Sequence, residues 1–345
     1  MTTNDLPSMC PAFDAYLQTD EYAVYLAAEI REYLKVPGLC TADVIKFRDK
    51  VLMKKALNGQ VRAPRVYGSK DLFENRDLFP IVAKPRSYAG SKGVSILSSK
   101  EDLHEYLQAN DVIMDDAIES FHEFSMNEVE FEEYVEGSIF HVDGLIFDNE
   151  IIFCRASQYL GKLLNYLKGE PVGSVSVGDR REQELWKEFV QQIHDVMRIP
   201  DGAFHLEAFL TNEGERVFLE IGARPGGGLI VSTIEKAIGL NLDEAHLQCQ
   251  LGIIPIINDK SEVHYGWLMY PKEYYAESER RITEVRLPKA MPSSVMWSKV
   301  PEVGQSNTGS FSYINNLGSF VFVSEVNSQI YDDIEVLLRD YSVLW

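Results

Sequence analysis

Two glutamates carry the strongest chemical signal in this 345-residue chain. Glu207 lies in the apolar run 203–210 and Glu220 in the run 217–221, with the polar segment 211–216 between them. A hairpin turning at Glu213-Gly214 sets the two carboxylates opposite each other. Directly opposed like charges destabilise a sheet, and seating both among Phe204, Leu206, Phe209, Phe218 and Leu219 is costly unless a cation lies between them. An oxygen-only pair suits Mg²⁺. Alternation also permits the plainer arrangement, a half-solvated sheet with both carboxylates in water. Arg224 opens the loop Arg-Pro-Gly-Gly-Gly four residues after Glu220, within reach of a metal and of a phosphate. His205 shares the glutamates' face and reads as an orienting or core-polar group.

A second constellation lies upstream. In Pro80-Ile-Val-Ala-Lys84-Pro-Arg-Ser-Tyr-Ala-Gly90-Ser91-Lys-Gly93-Val94, a lysine ends an apolar strand and a Gly/Ser turn leads into the next. An ammonium and free backbone N–H groups around one concavity suit phosphates. The spacing matches neither the P-loop nor the dinucleotide fingerprint. An exposed hairpin with solvated basic residues explains the same stretch when it is taken alone.

These groups need elements to hold them. Periodicity gives helices over 21–34 and 41–57, the second containing Lys50. A strand at 80–85, the Gly/Ser loop, a strand at 94–97 and a helix opened by the capping box Ser98-x-x-Glu101 follow. Strands run over 128–135 and 139–147, separated by the Glu136-Gly137 turn, so antiparallel sheet is expected. Residues 160–179 show no periodicity and read as a loop over a site. Helices are expected over 181–198, 229–238 and 241–251, and several strands with a final helix near 330–338 complete the chain.

Composition narrows the partners. With 33 Lys and Arg against 53 Asp and Glu, the net charge of −20 repels nucleic-acid backbones. Cys10, Cys40, Cys154 and Cys249 are too scattered for a zinc site or disulfide framework. The first residues lack a signal-peptide pattern and no apolar run reaches membrane length, so a cytoplasmic protein with no membrane partner is expected.

Taken in order, Lys50, Val82-Ala-Lys84-Pro, the Gly/Ser loop, Glu132-Glu-Tyr-Val-Glu-Gly137, Phe204-His-Leu-Glu207 and Phe218-Leu-Glu220-Ile-Gly-Ala-Arg224-Pro-Gly-Gly resemble the ATP-grasp superfamily. Phe47-Arg-Asp-Lys50, Phe140-His-Val-Asp-Gly144 and Gly202-Ala-Phe-His-Leu-Glu207 are similar to its carboxylate–amine ligase branch, which includes L-amino-acid (dipeptide) ligases. The resemblance implies an α+β fold, two α+β lobes gripping ATP between antiparallel sheets. Its divisions are a shortened N-terminal helical region over 1–60, a small lobe over 61–135, a central lobe with the metal site over 136–255, and a C-terminal α+β portion over 256–345.

By the same resemblance, Lys50 and Lys84 bind ATP phosphates, Gly90, Ser91 and Gly93 lie on the loop closing over them, Glu132 faces the adenine amino group, and Val135 offers backbone bonds to the ring. Glu207 and Glu220 carry Mg²⁺, with Mn²⁺ as a substitute, and Arg224 and Lys84 act in catalysis. The chain departs from the family pattern at Gly222, where many members have an asparagine. It departs again at Ser138-Ile-Phe140, where a ribose-binding acid is usual and His141 or Asp143 is the replacement. The N-terminal domain is also short, and a homodimer covering the surface so left is expected. The implied activity is an ADP-forming ligation of a small carboxylate, such as an amino acid, to an amine through an acyl phosphate. A kinase-like phosphotransferase and a non-catalytic ATP-binding subunit stay open beside it.

Overall fold

The structure is a computed structural model that describes residues 15–75, 77–110, 112, 127–258, 262–272, 280–306 and 316–345. Cys10 lies outside them. A 3-10 turn, Glu21–Ala23, leads into α1 (Val24–Leu34). The helix expected over 41–57 is three pieces: α2 (Thr41–Val44), a 3-10 turn (Ile45–Phe47) and α3 (Lys50–Ala56). Asp49 makes the break. Its Oδ1 accepts from Val51 N at 2.9 Å and Leu52 N at 3.0 Å, capping a new helix of which Lys50 is the first residue.

The smaller sheet is built from β1 (Val66–Tyr67), β2 (Ile81–Pro85), β3 (Ser95–Leu97) and β4 (Val129–Glu133), with α4 (Ser69–Glu74) and α5 (Lys100–Asn110) between strands. The order is β1-β4-β2-β3, antiparallel throughout. Ile81, Ala83, Val129 and Phe131 pack with Leu72 and Leu103. Strand alternation therefore turns Lys84, Glu130 and Glu132 to the opposite face. The N-cap of α5 falls one residue later than expected, at Ser99: Asp102 N donates to Ser99 Oγ at 3.1 Å, while Asp102 Oδ2 accepts from Ser98 N at 2.8 Å.

The larger sheet contains β5 (Ser138–Phe147), β6 (Glu150–Leu160), β7 (Val172–Ser176), β8 (Gly202–Leu210), β9 (Arg216–Gly222) and β10 (His264–Tyr270). Helix α6 (Arg180–Met197) precedes β8, and α7 (Ile230–Ile238) and α8 (Leu242–Gln250) precede β10. Strand β11 (Glu284–Arg286) stands apart, pairing with β14 (Ser342–Leu344). Between them, β12 (Val295–Lys299) and β13 (Gly318–Ser324) join the large sheet and α9 (Asn327–Asp340) packs on it. The eight-stranded order is β12-β13-β10-β7-β6-β5-β8-β9.

The expected loop over 160–179 is thus mistaken in part. Residues 172–176 are a fully buried strand between β6 and β10. Its Gly and Ser residues disguise it, yet Gly173 is required there, because a Cβ would lie 2.4 Å from Trp267 O.

The pleat of β8 sorts the site from the core. Phe204, Leu206 and Ala208 pack with Trp186, Phe189 and Ile193 of α6. Residues 205 and 207 consequently share the other face.

Candidate active site

Glu207 and Glu220 are register partners across β8 and β9, as the sequence indicates. The turn is not the expected one. Thr211 N bonds to Glu215 O at 2.9 Å, and Ala208 pairs with Phe218, so Leu219 is an extra residue before Glu220. This bulge restores the pairing. Phe218 enters the α6 core, and simple alternation would send Glu220 in after it; the bulge turns Glu220 to the face of Glu207 instead.

The two carboxylates have different neighbours. Glu207 Oε1 accepts from the Tyr159 hydroxyl at 2.9 Å and lies 3.6 Å from His205 Nε2. Burial pushes its carboxyl up, but His205 and Tyr159 outweigh burial and hold it below the usual range. Glu220 Oε2 lies 3.2 Å from Lys50 Nζ. Among the described residues no hydrogen bond reaches Glu207 Oε2 or Glu220 Oε1. Two facing carboxylates, each with an oxygen left over, fit a hard divalent cation.

Lys50 Nζ also donates to Tyr88 O, which ties α3 to the Gly/Ser loop. In that loop Gly90, Ser91 and Gly93 all have left-handed φ, at 69°, 60° and 75°. The serine shows that the turn demands this conformation even without glycine's freedom.

Lys84 is only 4 % exposed. Its Nζ lies 2.7 Å from Glu132 Oε1 and 3.5 Å from Glu130 Oε1. Lys54, which the sequence reading missed, completes the group at 2.8 Å from both Glu130 Oε1 and Glu132 Oε2. Burial lowers the affinity of Lys84 for its proton, and the two glutamates outweigh burial, so its pKa is raised. It is a fixed cation. Both oxygens of Glu132 face ammonium groups, so it serves as counter-charge to two lysines. Val135 is half-buried two residues after the end of β4.

His141 lies on β5. It is 2 % exposed, Nδ1 is 2.6 Å from Asp143 Oδ2 and Nε2 is 2.8 Å from Ser174 Oγ, so both ring nitrogens are engaged inside the sheet. Asp143 Oδ1 is 2.8 Å from His205 Nδ1. The three side chains bring potential metal-ligand atoms within 4.8 Å of one another. Contacts of 2.6 and 2.8 Å between nitrogen and oxygen are hydrogen bonds, and they form a buried chain whose last ring, His205, faces Glu207 at 3.6 Å. Burial disfavours the His205 imidazolium, but Asp143 and Glu207 raise its pKa to about 9.

Arg224 stands where the sequence places it, beyond the end of β9, and brings a partner that the sequence did not disclose. Its Nε donates to Glu21 Oε2, while Arg48 donates to Glu21 Oε1. Burial raises the Glu21 carboxyl, the two arginines override it, and its pKa falls to about 2. No local pattern marks Glu21, which lies on the 3-10 turn before α1.

Comparison with known proteins gives this geometry its context. Residues 78–233 match the ATP-grasp domain family. The L-arginine-specific L-amino acid ligase of Bacillus subtilis is 27 % identical over 253 residues, covering 68 % of this chain and 57 % of that protein. Dapdiamide A synthase of Enterobacter agglomerans is 31 % identical over 164 residues, covering 47 % of this chain and 37 % of that one. The chain therefore spans roughly half the length of the curated relatives it matches. The crystal structure of an L-amino acid ligase from Bacillus licheniformis superposes with a TM-score of 0.71 at 15 % identity, over 96 % of this chain and 81 % of that one, a likeness of fold. Among the described residues no helix is long and apolar enough to cross a membrane.

Proposed function

The chain carries an ATP-grasp domain, and we propose from that premise that it is an ADP-forming carboxylate–amine ligase acting on an amino acid or similar small acid. The observation that carries this reading is the meeting of Lys50 with Glu220 at 3.2 Å, which joins the phosphate-type loop to the carboxylate pair. Supporting it are the similarities to an L-arginine-specific L-amino acid ligase, whose name states that it ligates amino acids, and to dapdiamide A synthase.

In this reading Lys50, Lys84 and the backbone of Gly90, Ser91 and Gly93 hold the phosphates of ATP, and the Val135 backbone meets the ring. Glu207 and Glu220 hold Mg²⁺, which when bound neutralises phosphate charge during transfer. The acid's carboxylate attacks the γ-phosphorus as ADP leaves. The amine then attacks the acyl carbon, and inorganic phosphate departs from the tetrahedral intermediate, whose charge Arg224 balances. Tyr159 and His205 keep Glu207 ionised and fixed in direction.

A phosphate-release screen over paired acids and amines tests the reading. ADP and phosphate formed only when both partners are present is the expected result. Formation of AMP, or turnover indifferent to the acid, refutes it, and a phosphorylated acid that accumulates equally with and without amine assigns the chain to phosphotransfer instead.

A further inference from the structure

The Glu21 contact is built unlike an ordinary surface ion pair. Each carboxylate oxygen has its own guanidinium: Oε1 takes Arg48 and Oε2 takes Arg224. The two arginines approach from opposite sides, Arg48 from the junction before α3 and Arg224 from beyond β9. Arg48 is 2 % exposed and is braced by a 2.8 Å bond from its other amino group to Ser87 O, at the base of the Gly/Ser loop. Arg224 is braced at 2.7 Å to Pro225 O. Preset guanidinium groups on a planar anion are a means of recognising carboxylates.

The location adds to this. Glu21 Oε2 lies 3.2 Å from where a Cβ on Gly222 would stand, two residues beyond Glu220. Lys50, two residues after Arg48, bonds to Glu220 itself. The internal carboxylate thus rests beside the groups assigned to phosphoryl transfer.

We propose that Arg48 and Arg224 form the seat for the acid substrate's carboxylate, and that Glu21 fills this seat until the substrate displaces it. The inference rests on the ligase reading and extends it by naming Arg48 and the exchange. Carboxylate replaces carboxylate, so the charge within the seat is unchanged and the arginine pair is not left buried without an anion. The exchange needs only rotation of the Glu21 side chain. The chain before it is pinned, with Arg31 Nε donating to Tyr16 O at 2.8 Å and Gln250 Nε2 donating to Gln18 O at 3.1 Å. The Glu21 side chain is largely covered, 14 % exposed, but its cover is the two arginines and no residue of the Glu21–Ala23 turn belongs to a hydrophobic core cluster, so no core is disturbed when the side chain leaves.

Acetate, the smallest stable carboxylate, is the probe. Glu21→Ala vacates the seat, and acetate at roughly ten times its dissociation constant is expected to raise the melting temperature of this variant by about 2–4 °C. Wild type, its seat filled, responds less, and Glu21→Ala/Arg48→Ala does not respond. In the ligase assay Glu21→Gln is expected to lower KM for the acid. It keeps the side-chain shape and carries the acetate test as well if Glu21→Ala does not fold. Equal acetate responses in wild type and Glu21→Ala, or none in either Glu21 variant, overturn the seat. Calorimetry with Mg²⁺–ATP separates the two readings: loss of acetate response with nucleotide binding intact defeats the seat alone, whereas wild type that binds no nucleotide defeats the ligase reading.

Discussion

Lys50 Nζ and Glu220 Oε2 stand 3.2 Å apart, joining the first residue of α3 to the last strand of the carboxylate hairpin. The ammonium neutralises part of a carboxylate pair that alternation alone would not tolerate. Under the proposed function, a nucleotide–metal complex arriving there would exchange one cation for another and release Lys50 toward phosphate oxygens. Glu220→Gln is expected to weaken Mg²⁺-dependent ATP binding at least ~100-fold, about 2.7 kcal/mol. Calorimetry with and without Mg²⁺ measures it, and unchanged affinity removes Glu220 from the metal site.

The lysine pair on the small lobe has a different balance. Lys54, Lys84, Glu130 and Glu132 each have side chains no more than 5 % exposed. Two positive and two negative charges cancel, so loss of one leaves a buried charge without its partner. Lys54→Met is expected to destabilise the fold by ~3–5 kcal/mol. Lys54→Met/Glu130→Gln restores part of the loss, because the remaining Lys84 and Glu132 still pair. Urea unfolding of the wild type, Lys54→Met, Glu130→Gln and the double variant checks both expectations, and an additive double variant refutes the coupling.

How much of this was legible follows from sequence separation. The glutamates face each other within one hairpin, so a local pattern located them, although the assumed turn was wrong and the Leu219 bulge supplied the missing residue of register. Lys84 and the left-handed loop were equally local. Glu21 was not, since Arg224 lies 203 positions away and Arg48 27 away. Lys54 meets Glu130 across 76 positions, and nothing in its helix marks it. Strand β7 was hidden because Gly and Ser read as loop residues, whereas here Gly173 admits a close neighbouring backbone and Ser174 and Ser176 hydrogen-bond to His141 and Tyr265 N. Fold and carboxylate pair rest on periodicity; the ion pairs that surround them depend on tertiary approach.

Acid should unfold this protein partly through His246. Its Nδ1 accepts from Ala203 N at 2.8 Å, a bond only the unprotonated nitrogen can make, and burial, the larger cause, with Arg31 lowers its pKa from 6.5 to about 4. Between those values the unfolded chain binds the proton and the folded chain does not. Stability is therefore expected to fall as pH drops from 6.5 to 4, by about 3 kcal/mol from this residue. Unfolding free energies across that window measure the slope. In His246→Asn, whose side-chain oxygen can accept the same bond, the slope should shrink by this residue's share; an undiminished slope assigns it to other groups.

The buried chain that ends on His205, beside Glu207, can be disturbed from a distance, at Gly226. A Cβ there would lie 2.5 Å from Asp143 Oδ1, the oxygen bonded to His205, and 2.8 Å from Ile230 Cδ1. Gly227 has open space, with nothing within 4 Å of its Cβ position. Gly226→Ala is therefore expected to cost ~1–3 kcal/mol through overpacking, and Gly227→Ala much less. The pH dependence identifies the mechanism. His205 titrates at about 9 in the folded protein against 6.5 ordinarily, so its stabilisation is complete below 6.5 and is lost as pH rises through about 9. Displacing Asp143 removes the main support for the imidazolium, and in Gly226→Ala the loss should begin at lower pH. NMR titration of the histidine ring protons reads this directly. A His205 titration unchanged in Gly226→Ala, with destabilisation still present, leaves overpacking against Ile230 as the whole effect and disconnects Asp143 from the charge of His205.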